Sequence, residues 1–149
     1  MSKNLIIDTN LLLLLVIGAV EEGRHIQNSK RLNAFNLSDY DNVLKIMGEY
    51  NAVFITPYIA TEVSNLIDLK GYAQILAFKI ARTLFSEFKE IDVNLNEDCE
   101  SDLFLRFGLT DNSLIKLAPD YYILTNDHRM LEPLFESSQN TIIPYYTLK

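Results

Sequence analysis

Leu5-Ile6-Ile7-Asp8-Thr9-Asn10 sets three apolar residues, an aspartate and two polar residues in succession, and the apolar run 11–20 follows at once. A short continuous apolar run with polar residues behind it reads as a buried strand of a parallel sheet. Near the other end of the chain, Tyr121-Tyr122-Ile123-Leu124-Thr125-Asn126-Asp127 repeats the arrangement. In open α/β sheets the functional crevice lies outside the carboxyl ends of the strands. Asp8 and Asp127 are therefore expected at one sheet edge, where two carboxylates make a candidate metal site.

The segments between them alternate strand and helix. Strand one is expected over 4–8, with a Leu-rich helix from Asn10 and loop composition over 21–29. Ser38 is the expected N-cap of a helix carrying Val43, Leu44, Ile46 and Met47 and ending near Gly48. A second strand covers 52–55, and Thr56-Pro57 supplies an N-cap and a first-turn proline for a helix to about Leu69. Gly71 separates it from a long helix over 72–88, with Ile75, Leu76, Ile80, Leu84 and Phe88 on one stripe. A third strand is expected over 91–95. Asn96 then caps a helix that stops at Gly108, and Thr110 caps another that Pro119 closes. A strand over 121–125, a short helix over 127–135 and a last strand over 141–145 complete the pattern. Such alternation predicts a three-layer α/β domain, a mainly parallel central sheet flanked by helices, with residues 1–149 as one unit.

Composition bounds the function classes. At 48% hydrophobic and 22% charged residues the chain is ordinary for a globular protein. One cysteine, Cys99, excludes an internal disulfide and a cysteine-rich zinc site and fits a reducing cytoplasm. Between Asp98 and Glu100 its thiolate is disfavoured, so Cys99 reads as structural. The run 11–20 holds ten apolar or small residues, about half the ~20 needed to cross a bilayer, and its lightly charged start fits a signal peptide poorly. No membrane association is expected. A helix apolar all round belongs in the core or partly under a partner.

The net charge of −7 weakens long-range attraction to a polyanion, so a nucleic-acid substrate requires a local basic patch. Arg24, Lys30 and Arg31 supply one within eight residues that hold no acid, whereas 87–102 carries seven acids and one lysine. Solvated surface and phosphate contact are both open readings of the basic stretch.

Two further acids fall where a core-facing or helix-start residue belongs. Glu62 shares a helical stripe with Ile59 and Leu66, where an unpaired charge costs several kcal/mol. Asp111 opens the Thr110 helix above Leu114, Ile115 and Ala118; helix capping explains it equally well in isolation. Four acids at one edge, without a matching set of bases, repel one another unless divalent cations intervene. Mg²⁺ and Mn²⁺ prefer oxygen shells of carboxylate and water. His25 and His128 are isolated in sequence and read as surface residues, which disfavours zinc. The chemistry suited to the set is phosphodiester hydrolysis with one or two ions, and Thr9, Asn10, Thr125 or Asn126 are placed to orient the ligands or hold a water.

The segments LIIDTNLLL, ITPYIATEVSNL, GLTDNSLIKLA and YYILTNDHRM resemble, in that order and spacing, the PIN domain, the nuclease fold of VapC-type toxins and of several RNA-processing proteins. The resemblance spans residue 5 to about 131. It implies that Asp8, Glu62, Asp111 and Asp127 are the catalytic metal ligands, with Asn10 and Thr125 as supporting polar residues. It further implies a Mg²⁺- or Mn²⁺-dependent endoribonuclease acting on RNA, often a homodimer, and in many relatives a toxin neutralised by an antitoxin protein. The chain departs from that pattern in the roughly 54 residues between Asp8 and Glu62, longer than a compact toxin needs. The basic stretch and the Ser38 helix account for the extra length.

Two alternatives stand beside the nuclease. A PIN-like interaction module with little turnover would use the Leu-rich helix and the aromatic residues of the 72–88 helix as partner surfaces. A phosphatase with Asp8 as nucleophile fits less well, because no second acid follows two residues later.

Overall fold

The central strands are the most apolar because both of their faces are covered. Leu5, Ile6, Ile7, Ile123 and Leu124 are all buried. In the computed structural model, which describes residues 3–147, the strands are β1 (Asn4–Ile7), β2 (Ala52–Ile55), β3 (Lys89–Glu90), β4 (Tyr122–Thr125) and β5 (Ile142–Pro144). They pair in the order β3-β2-β1-β4-β5, every pair parallel. The protein is thus an α/β fold with an all-parallel five-stranded sheet flanked by helices. Its register sets Ile7 opposite Leu124, which brings the ends of β1 and β4 level.

The helices are α1 (Thr9–Gly18), α2 (Leu37–Met47), α3 (Pro57–Leu66), α4 (Gly71–Glu87), α5 (Leu95–Asp98), α6 (Asp102–Leu117) and α7 (Leu131–Ser137). Chain direction across the sheet reverses at β1. Because parallel crossovers are right-handed, α1–α4 fall on one face and α5–α7 on the other. Packing agrees: α1 meets α2, α3 and α4, while α6 meets α5 and α7. The crevice between β1 and β4 is the switch point of the sheet, where such folds bind ligands.

The Leu-rich helix is core. Residues 11–18 of α1 are all buried, so this helix offers no partner surface. It approaches α2 closely at Gly18, where an added Cβ would lie 2.3 Å from the Tyr40 ring.

Several boundaries differ from the sequence expectation. Asn36, not Ser38, caps α2, in a capping box with the buried Asp39, and Asn94, not Asn96, caps α5. Asn and Ser are near-equal caps, so the choice falls to whichever residue has extended backbone at that point. Helix α3 ends at Leu66, and the third strand is Lys89–Glu90, ahead of its expected place. As expected, one helical stretch ends at Gly108: its backbone, at φ 83° and ψ −176°, is non-helical inside the Asp102–Leu117 span of α6. On α4 the buried line runs through Ala77 and Ala81, and Ile75 is exposed, because small residues let α4 seat closely. Among the described residues no helix is long and apolar enough to cross a membrane.

Candidate active site at the switch point of the sheet

Asp8 leaves β1 and caps α1 in one step. Its backbone N–H donates to Leu124 O (2.9 Å), its Oδ1 accepts from the Thr9 N–H (2.7 Å) and its Oδ2 accepts from the Thr125 hydroxyl (2.6 Å). Thr125, fully buried at the end of β4, also accepts from the Asp127 N–H at 3.0 Å through the same oxygen. One threonine hydroxyl therefore ties the first and last acids together.

Glu62 comes from the second turn of α3 and accepts a hydrogen bond from the Thr110 hydroxyl. Its stripe neighbour Ile59 is buried, but Glu62 itself is exposed into the cleft rather than desolvated in the core. The stripe expectation fails there because that edge of α3 ends at the switch point, where no layer covers it. Asp111 follows Thr110 on α6, beyond the Gly108 kink.

All four carboxylates line a single cleft of about 220 Å³, together with Thr9, Asn10, Arg31, Leu66 and Arg129. Of the basic stretch only Arg31 reaches it; the Lys30 and Arg31 N–H groups donate to Asp68 Oδ2 (2.9 and 3.5 Å), which anchors the loop to the chain just after α3. Arg24 instead pairs with Glu21 at 3.5 Å, and Lys30 stands off the cleft.

Crowding of acids shapes their protonation. Burial, partly offset by the Thr125 and Thr9 hydrogen bonds, raises the Asp8 pKa, and Asp127 and Glu62 raise it further. Asp111 is pushed up from 3.8 to about 7, first by burial, then by Asp8, Asp127 and Glu62, against a lowering by Arg129.

The four acids are not matched by an equal set of bases, but one arginine stands directly among them. Arg129 grips Asp127 through Nε–Oδ1 (3.1 Å) and Nη2–Oδ2 (2.8 Å), and the same Nη2 lies 3.6 Å from Asp111 Oδ2. Its position follows from the 3-10 turn His128–Met130, which Asp127 caps by accepting from the Arg129 N–H. The Asp-x-Arg spacing was the available sequence signal. His25 lies away from the cleft, where its ring bonds Glu21 (3.0 Å) and Asn28 (3.2 Å).

Behind the cleft, buried Asp98 accepts from Tyr58 of α3 (2.6 Å) and from Lys116 of α6 (3.0 Å). Burial and this carboxylate push the Tyr58 phenol up to about 12. The bridge holds the helix of Glu62 against the helix of Asp111.

The donor set suits a hard cation: carboxylates, and the Thr9 hydroxyl, which lines the cleft, is only 7% exposed and has no partner. As the side chains stand, no group of three or more Asp, Glu, His or Cys among the described residues is gathered tightly enough to hold a metal ion. The chemistry of these donors, carboxylate and hydroxyl oxygens, is that of a Mg²⁺ or Mn²⁺ shell. The sequence matches no protein-family model and no curated protein.

Proposed function

We propose that the chain is a PIN-like, Mg²⁺- or Mn²⁺-dependent endoribonuclease of the cytoplasm, working as the toxin of a toxin–antitoxin pair or as an RNA-processing enzyme. The observation that carries this reading is the meeting of Asp8, Glu62, Asp111 and Asp127, from four separated segments, in one cleft at the switch point. Four carboxylates with an arginine at either flank suit a phosphodiester whose charge needs both metal and guanidinium partners.

Asp8, Glu62, Asp111 and Asp127 are the residues that would hold one or two ions. Ions held there would supply Lewis acidity for hydrolysis of the phosphodiester. The chain's own contribution is positional. Thr125 and the Thr9 N–H fix both oxygens of Asp8, and Thr110 fixes Glu62. Arg31 provides a phosphate contact from the loop, a local patch that an acidic protein requires. Asn10, exposed at the cleft, is placed to hold a water or a sugar hydroxyl.

The test is incubation of the protein with a mixed pool of single-stranded and structured RNA in Mn²⁺, Mg²⁺ or EDTA. Cleavage is expected with either metal, is abolished by EDTA, and is lost in Asp8→Asn and Glu62→Gln with the fold intact. Wild-type turnover in Asp8→Asn overturns the reading.

One observation favours a second role, as an interaction module. Tyr72, Ile75 and Phe78 of α4 are exposed together beside Lys79 and Arg82, and the helix holds a single acid, Glu87. An apolar and basic face on a chain of charge −7 fits an acidic amphipathic partner better than a second copy of itself. An antitoxin segment of that character is the partner proposed; metal-independent binding without cleavage would favour the module alone.

A further inference from the structure

We infer that Arg129 is a resident counter-ion of the carboxylate cleft that gives up its place to the divalent cation and then binds a phosphate of the RNA. The inference rests on the nuclease reading. Arg129 engages both oxygens of Asp127 and approaches Asp111, so it stands where two of the four candidate ligands would turn toward an ion. A guanidinium and a divalent cation cannot occupy one carboxylate pair together without strong repulsion.

The displaced side chain has somewhere to go. Two-thirds of the Arg129 side chain is exposed, so moving it opens no buried void. The Phe107 ring already lies 5.9 Å from its Cζ, although Arg106 stands closer to that ring at 4.9 Å. The exposed side chain is thus free to turn toward solvent and the incoming phosphate. Planar, bidentate geometry suits a phosphate as well as a carboxylate, so the same fork that grips Asp127 matches the incoming backbone. Arg31 approaches the cleft from the loop, which leaves Arg129 as the second cationic contact.

The exchange separates from cleavage in three measurements on the intact protein. By calorimetry, Arg129→Gln should bind Mn²⁺ roughly three- to tenfold more tightly than wild type, since an exposed bidentate pair and its charge no longer compete. Without metal the variant should melt lower than wild type, because Asp127 and Asp111 lose their counter-charge; in saturating Mn²⁺ the difference should vanish. On the metal-loaded protein, the salt slope for binding a short single-stranded RNA in Ca²⁺ should fall by about 0.7 in the variant. Arg129→Lys, which keeps charge without the fork, should lie between the two. Equal Mn²⁺ affinity in wild type and Arg129→Gln overturns this inference and leaves the nuclease reading intact. Absence of Mn²⁺ binding in wild type overturns both.

Discussion

Asp111 is where burial and like charge act on one residue most directly. Its pKa of about 7 lies above the ordinary 3.8, so the folded, metal-free protein keeps a proton that the unfolded chain releases. Stability from this source is full below about pH 4 and is lost as pH rises to about 7, by roughly 4 kcal/mol at most. Asp8, also raised, acts in the same direction. Thermal melts of metal-free protein should therefore fall between pH 5 and pH 8. Asp111→Asn should flatten that slope and melt above wild type at pH 8; an unchanged slope removes Asp111 as its source. At this scale the acids were legible in the sequence as a set: capping accounts for each one alone, and only their recurrence at strand ends and helix starts pointed to one sheet edge. Arg129 was not, since only the 3-10 turn after Asp127 folds its side chain back on the cleft. The exposure of Glu62 was hidden for a similar reason: helical spacing names a stripe but not where the covering layer stops.

Helix α6 is two helical stretches that meet at a non-helical Gly108, and the second of them carries Asp111. Gly108 adopts φ 83° and ψ −176°, a backbone open essentially to glycine alone, and Asp111 follows within one turn. Its missing side chain has nothing within 4 Å to strike, so strain and not crowding decides the effect of a substitution. Gly108→Ala should cost about 1–3 kcal/mol, a drop in melting temperature of several degrees, and should reduce cleavage at temperatures where the fold persists. Unaltered stability would show that the backbone there relaxes freely. Elements were the most legible level. Thr56-Pro57 marked the start of α3, and the alternating apolar runs placed β1, β2, β4 and β5 within a residue or two. Cap positions and the inward line of α4 were less legible, because near-equal caps and small core residues such as Ala77 and Ala81 are settled by packing.

Across the whole molecule, the reversal of chain direction at β1 is what collects residues 8, 62, 111 and 127. The sequence alternation announced a parallel sheet but not the order β3-β2-β1-β4-β5, which depends on crossover handedness and on the short, exposed edge strand Lys89–Glu90. On the proposed reading, a chain of net charge −7 with four acids in the cleft would draw cations readily and RNA only through metal and arginine. In the proposed function, binding of Mn²⁺ is therefore the step on which every later one would depend. Titration of wild type and Asp8→Asn with Mn²⁺ near pH 7.5, followed by electron paramagnetic resonance, reads it without reference to any substrate. Saturable binding in wild type that is lost or greatly weakened in a folded Asp8→Asn is the expected result. Equal binding in the two proteins, or none in either, would contradict a metal centre at this cleft.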